Sequence, residues 1–135
     1  EIKVRDWNKP GNIKDYIAQL NRIRRNNAAL LQTADLRFTP VDDGEVIGFI
    51  KESINGDNAV ACAIVLSGER PRTFWFHFGD MTIGRRDNRT PVGAIVNLIT
   101  GERHRIEWGG VRLTINPLDD PALLFRCESQ SRVTP

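Results

Sequence analysis

From about residue 34 onward, hydrophobic residues recur at every second position, and this period restricts the fold more than any other feature. Successive side chains of a β-strand point to opposite faces, so the alternation predicts strands that pack one face against a core. Val46 and Ile50, for example, fall on one face, and Phe49 falls on the other. Turn-forming sequences interrupt the alternation at short intervals, and Asn55-Gly56 is the clearest hairpin signal.

Roughly seven to nine short strands at close spacing predict an antiparallel sandwich or barrel, with Greek-key connections at the longer crossings. Residues 59–66, AVACAIVL, are apolar on both faces and predict a central strand that is covered on both sides. Residues 79–91 predict a long irregular loop or a short edge strand. The expected fold class is therefore mainly β: an antiparallel Greek-key β-sandwich preceded by one N-terminal amphipathic α-helix.

One segment near the start, PGNIKDYIAQLNRIRRNNAALL at residues 10–31, has the period of a helix instead. Asn12 is suited to the N-cap position, arginines gather toward the C-terminal turns, and Asn26-Asn27 is expected to end the helix. The apolar residues form a single stripe at helical spacing: Ile13, Tyr16, Ile17, Leu20 and Ile23. Such a stripe requires cover, so we predict an interdomain or dimer face that either the sandwich or a second copy of the chain covers.

The cysteines and the net charge indicate the cellular location and the classes of partner that are expected. Cys62 and Cys127 lie far apart in alternating apolar stretches, which predicts reduced, buried thiols and a cytoplasmic location. The net charge is only +2 with acidic and basic residues interspersed, so no nucleic-acid partner is indicated. No apolar run approaches the length of a transmembrane helix, so no membrane partner is expected either.

Residue groups that are typical of an active site do not occur in the sequence. His77 and His104 have no cysteine or carboxylate nearby at metal-ligand spacing. The paired aspartates at 42–43 and 119–120 lie in turn sequences, which explain them without acid–base chemistry. The basic segment GRRDNR at 84–89 is interpreted as a solvated loop in preference to an anion site. We therefore expect no catalytic residue, no bound metal and no cofactor in this chain.

Tryptophan is the one residue type here that suggests ligand binding with a mechanism. An exposed indole offers a broad apolar face on which a sugar can stack and a donor at its edge. Trp75 and Trp108 are therefore the candidate sugar contacts. The alternative is that both side chains fill the space between the two sheets.

Three stretches, in this order, resemble one known family. They are EIKVRDW at 1–7, PGNIKDYIAQLNRIRRNNAAL at 10–30 and NLITGERHRIEWGGVRLTINPLDDPALLFR at 97–126. Together they resemble the C-terminal end of the bacterial maltosyltransferases of the α-amylase superfamily, glycoside hydrolase family 13. The chain departs from that pattern at Asn27, where proline is usual, and at Ala122-Leu123-Leu124-Phe125 in the closing strand, and residues 67–91 do not align.

The resemblance implies a division of the chain and a role for it. Residues 1–33 would be the end of a catalytic (β/α)₈ barrel, residues 34–129 a C-terminal β-sandwich domain, and residues 130–135 a tail. The family's catalytic residues lie on barrel strands upstream of Glu1, so this chain would be non-catalytic. Its parent would transfer maltosyl units from maltose 1-phosphate to the ends of α-1,4-glucan. The partner of the sandwich would then be the catalytic barrel, whose flank it covers, together with a weak glucan contact at the acceptor cleft.

Two other functions stay open at this point. A stand-alone carbohydrate-binding module is favoured if Trp75 and Trp108 are exposed on a common face. An interaction domain of unrelated origin would show the same strand pattern. A small enzyme ranks last, because the sequence contains no nucleophile–base or metal constellation.

Overall fold

The computed structural model describes residues 18, 22–23, 25–31, 35–79, 81–119 and 122–130. In this part of the chain a short helix, α1 (Ala28–Leu31), precedes nine strands. The strands are β1 (Asp35–Thr39), β2 (Val46–Glu52), β3 (Ala59–Val65), β4 (Arg72–His77), β5 (Thr82–Arg85), β6 (Asn88–Asn97), β7 (Arg103–Arg105), β8 (Gly110–Ile115) and β9 (Ala122–Ser129). The predicted fold class, mainly antiparallel β with a helical region on the N-terminal side, is confirmed.

Seven of these strands form one antiparallel sheet, in the order β1-β2-β3-β9-β6-β5, with β7 also paired to β6. We call it the large sheet. Strand β3 lies between β2 and β9, which confirms the prediction of a central strand from the apolar run 59–66. Strand β9 returns beside β6, so the last strand lies near the middle of the sheet.

The other two strands, β4 and β8, pair with each other and form the small sheet. The small sheet shares one hydrophobic core with a single face of the large sheet. The largest side chains in this core are fully buried and come from five strands: Phe74, Phe76, Phe125, Ile50, Ile95 and Ile115. Because alternate residues of β4 and β8 face inward, the residues between them lie on the outer face of the small sheet.

The described residues 22–23 and 25–31, which include α1, are called the helical region, and its α1 end packs on the opposite face of the large sheet. Ala29 is fully buried there in a second apolar cluster with Val60 and Cys62, and Leu30 packs at its margin. Val60 and Cys62 alternate along β3 with alanines of the main core, which places the two clusters on opposite sides of one strand. A chain segment of helical sequence therefore covers a sheet face that would otherwise leave its apolar residues in water.

The predicted helix end at Asn26-Asn27 agrees with the structure at Asn27, which is the non-helical residue before α1. Asn27 is 4% exposed, and its side-chain amide donates to the Ile23 carbonyl at 2.9 Å. Asn58, in the turn between β2 and β3, donates to Asn27 Oδ1 at 3.1 Å and accepts from the Ala29 N–H at 3.0 Å. The two asparagines thus tie the helical region to this turn.

The region 79–91 is more regular than an irregular loop. Its first half contains β5, the short edge strand of the sequence alternatives, and its second half is the start of the ten-residue β6. The interpretation of 84–89 as a solvated loop is wrong for Arg89, whose guanidinium pairs with the buried carboxylate of Glu52. The pairing joins residues 37 positions apart, which local sequence patterns do not reveal.

Both cysteines are free and buried, as predicted. Burial raises the pKa of the Cys62 thiol and of the Cys127 thiol to about 12, so both are protonated at neutral pH. Among the described residues, no helix has the length and apolar character needed to cross a bilayer.

Candidate functional site

Trp75 lies on the outer face of the small sheet. Its neighbours Phe74 and Phe76 are 0% and 1% exposed and belong to the core, so strand alternation turns the indole outward. In the register with β8, Trp75 is opposite Arg112, whose Cζ lies 6.0 Å from the centroid of the indole. The indole is half-buried. The alternative in which Trp75 fills the space between the sheets is therefore excluded.

The Trp75 indole packs directly over Gly110. A methyl group at position 110 would lie 2.5 Å from Trp75 Nε1 and 2.7 Å from its Cε2, so only glycine leaves room for the ring. The imidazole of His77, which pairs with Gly110 across the sheet, meets the indole edge-on with centroids 6.0 Å apart. Trp75 is thus supported by the sheet on one side and reached by solvent on the other.

Polar groups surround this indole on the same face. The hydroxyls of Thr73 and Thr114 lie 2.9 Å apart on paired strands, and Arg112 is exposed beside them. The Asp42 carboxylate accepts a 2.7 Å hydrogen bond from the backbone N–H of Trp75 and holds β4 in place. Hydroxyl and guanidinium groups next to a supported aromatic ring are suited to hydrogen-bond the hydroxyls of a stacked sugar.

Trp108 occupies a different setting, at the tip of the two-residue turn that leads into β8. Glu107 and Gly110 exchange two backbone hydrogen bonds of 3.0 and 3.2 Å across the turn. The φ angles of Trp108 and Gly109 are +59° and +74°, which is the geometry of a type I′ turn. Trp108 is 95% exposed and is the only non-glycine residue with positive φ in the described part of the chain.

Backbone hydrogen bonds from the residues after β4 fix the position of this turn. The Gly109 carbonyl accepts hydrogen bonds from the backbone N–H groups of Phe78 at 2.8 Å and Gly79 at 2.9 Å. Both donors directly follow β4, so the turn is attached to the end of the small sheet. The position of the Trp108 backbone is therefore set by the fold, while its indole projects into solvent.

The structure does not bring the two tryptophans into one pocket. Trp108 lines a shallow depression together with Pro91, Arg105 and Gln130, and Trp75 is not among the residues of that lining. Neither indole fills the space between the sheets. Trp75 and Trp108 therefore do not form one binding site.

The predicted interdomain or dimer face is only partly within the described residues. Ile23 is buried, at 7% exposure, within the single chain. The other four members of the stripe, Ile13, Tyr16, Ile17 and Leu20, lie outside the described residues. The partner of this face stays a prediction.

Sequence reasoning missed a buried ionic cluster around Glu52, which is 3% exposed. Arg89 contacts both carboxylate oxygens, Nη2 to Oε1 at 2.9 Å and Nη1 to Oε2 at 3.1 Å. Arg37 donates to Oε1 at 3.0 Å, and the Gly84 N–H donates to Oε2 at 2.8 Å. We call these four residues the Glu52 cluster. Because its two oxygens accept four hydrogen bonds, the carboxylate is satisfied and has a structural role.

The Glu52 cluster joins the two edges of the large sheet. Glu52 and Arg37 come from β2 and the edge strand β1, whereas Gly84 and Arg89 come from the edge strand β5 and its neighbour β6. Arg37 also donates to the Thr82 carbonyl of β5 at 3.1 Å. One signal could have revealed the cluster, since period two places Glu52 on the same inward face as Val46 and Ile50.

Within the residues that the structure describes, no group of three or more His, Cys, Asp or Glu side chains is arranged to hold a metal ion.

Comparison with known proteins identifies relatives over nearly the whole chain, among them three α-1,4-glucan:maltose-1-phosphate maltosyltransferases. The Chlorobaculum tepidum protein is 34% identical over 134 residues, which cover 93% of this chain and 19% of the relative. The Methylacidiphilum infernorum protein is 31% identical over 136 residues, which cover 100% of this chain and 20% of the relative. The Rhodospirillum rubrum protein is 32% identical over 130 residues, which cover 93% of this chain and 18% of the relative.

The chain thus spans about one fifth of the length of these relatives. No family model matches it.

Proposed function

Because this chain belongs to the α-1,4-glucan:maltose-1-phosphate maltosyltransferase family, as a segment about one fifth as long as its relatives, we propose that it is a non-catalytic C-terminal β-sandwich domain. The parent protein transfers maltosyl units from maltose 1-phosphate to the ends of α-1,4-glucan. One observation carries this proposal: 93% to 100% of the chain aligns with these enzymes but accounts for only 19% to 20% of two of them.

The proposed division of the chain follows the same reasoning. Residues 1–33 complete a catalytic barrel of the α-amylase superfamily, residues 34–129 form the sandwich and residues 130–135 form a tail. The contacts of Asn27 and Ala29 with Asn58 support a rigid connection between the helical region and the sandwich. The sandwich then covers the flank of the barrel and borders the acceptor cleft. Two free, buried cysteines support a cytoplasmic location.

The test of this proposal is a transfer assay. Incubated with maltose 1-phosphate and glycogen, the isolated chain is expected to release no phosphate above background, because the proposed catalytic carboxylates belong to the barrel. The longer parent protein, assayed in parallel, is expected to release phosphate. Turnover by the isolated chain, or an inactive parent, would contradict the assignment.

A second function, a weak glucan contact at Trp75, is favoured by the setting of that indole. The ring rests on Gly110, is flanked by Arg112 and His77, and faces solvent on its outer side. A single stacked ring contributes little against the cost of association, so the expected dissociation constant for malto-oligosaccharides is on the order of millimolar.

Titration with maltoheptaose, followed by indole fluorescence or NMR shifts, tests this contact. Trp75→Ala is expected to abolish the millimolar binding, whereas Trp108→Ala, the matched control, is expected to retain it. Binding that survives Trp75→Ala would remove the sugar contact from this face. A micromolar affinity that disappears with Trp75→Ala would instead favour a stand-alone carbohydrate-binding module.

A further inference from the structure

Among the residues that the structure describes, the side chain of Trp108 has almost no packing partner. At 95% exposure the indole packs against almost nothing, so it adds little to the stability of the sandwich. Its φ of +59° is also unfavourable for a bulky side chain, and Asn-Gly is the ordinary occupant of a type I′ turn. A strained, exposed aromatic residue on a rigid turn points to a contact outside the described chain.

The exposure of the ring distinguishes between two kinds of contact. A sugar platform rests one face of its ring on the protein, as the half-buried Trp75 does against Gly110. Trp108 leaves both ring faces open, which suits insertion into a pocket that encloses the ring. Enclosed tryptophans are characteristic anchors of protein–protein interfaces.

The surroundings of Trp108 match the rim of such an interface. The hydrogen bonds from Phe78 and Gly79 to the Gly109 carbonyl hold the turn in one conformation, which lowers the entropy lost on docking. Arg105 and Glu107, which both precede Trp108 in the chain, are exposed, and Arg105 lines the same depression as Trp108. An apolar centre with a charged margin is the usual anatomy of a protein interface.

We propose that Trp108 is the anchor by which this domain docks on the remainder of the parent maltosyltransferase, with its indole inserted into an apolar pocket of that remainder. This inference rests on the proposed function. The matched segment is 20% of the Methylacidiphilum infernorum relative, so about four fifths of such a protein lies outside it and can supply the pocket. A tryptophan that is exposed in the isolated domain would then be buried in the parent.

The test is one substitution, Trp108→Asn, made in two proteins. In the isolated chain, relief of the left-handed strain is expected to raise the folded-to-unfolded ratio about tenfold, measured by denaturant unfolding. In the full-length parent, loss of the anchor is expected to increase the rate of limited proteolysis within this domain by about tenfold or more. The effect on stability therefore has opposite signs in the two proteins. Leu66→Ala, which alters another exposed apolar side chain outside the turn, is the control and is expected to change neither protein appreciably.

Three outcomes would overturn the proposal. The first is a change in stability on Trp108→Asn that has the same sign in the isolated chain and in the full-length parent. The second is loss of maltoheptaose binding by the isolated chain carrying Trp108→Asn, which would assign the indole to sugar. The third is an isolated wild-type dimer that dissociates on the substitution, which would assign it to a second copy. Phosphate release by the wild-type parent tests the proposed function independently, so either idea can fail without the other.

Discussion

Glu52 shows how a single residue can connect parts of this chain that are remote in sequence. Glu52 is 3% exposed, and its partners Arg37 and Arg89 come from the edge strand β1 and from β6, beside the opposite edge strand β5. An unpaired charge in such a position would be strongly unfavourable, so all members of the cluster depend on one another. The Glu52 side chain therefore holds these strands together and is not available for a catalytic role.

We predict that Glu52→Gln lowers the free energy of unfolding by about 3 kcal/mol, because the amide leaves the Arg89 guanidinium without its counter-charge and leaves Arg37 paired only with the exposed Asp35. Denaturant unfolding measures this change. The matched control is Asp57→Asn, which breaks the exposed Asp57–Arg85 ion pair of 2.8 Å and is expected to change stability by less than about 1 kcal/mol. Equal effects of the two substitutions would show that the Glu52 cluster has no special structural role.

At the scale of elements, the helical region depends on tertiary contacts for its position. The described helix α1 has only four residues, and a segment of this length is not stable alone in water. Its attachment consists of apolar contacts of Ala29 and the hydrogen bonds between the helical region and Asn58. The turn between β2 and β3 therefore holds α1 in position, although α1 comes before β1 in the chain.

We predict that Asn58→Ala loosens the helical region without unfolding the sandwich. The substitution removes the acceptor of the Ala29 N–H and the donor to Asn27 Oδ1, each contributing on the order of 1 kcal/mol. Hydrogen exchange should show about tenfold less protection at Ala29, with little change at strand residues such as Ala61. Asn55→Ala is the control in the same turn, because the Asn55 side chain bonds to Ser53 and Asp57, within the turn itself. Unchanged exchange at Ala29 in Asn58→Ala would refute this role.

At the scale of the whole molecule, the described chain has three layers: the helical region, the large sheet and the small sheet. The large sheet has apolar residues on both faces, and each face is covered by a different part of the chain. Its two edge strands, β1 and β5, are joined by side chains of the Glu52 cluster. The outer face of the small sheet carries Trp75, and the turn at its end carries Trp108, so both aromatic candidates for function belong to the same layer.

The sequence by itself determined the strands, the central position of residues 59–66 and the helix end at Asn27. These features depend on local period and on turn chemistry, which a linear pattern contains. It also determined the family, through three stretches in a fixed order, and the presence of two buried thiols.

Only the tertiary structure decided how Glu52, Arg37 and Arg89 meet, that Arg89 of the segment 84–89 pairs with a buried carboxylate, and which tryptophan is supported. These features depend on pairs of residues far apart in the chain, such as Gly110 beneath the Trp75 indole. The strand pattern says which residues point inward or outward, but it does not say what they meet there. That depends on how the sheets close and stack, which is settled by burial of the whole apolar surface together with the pairing of buried charge.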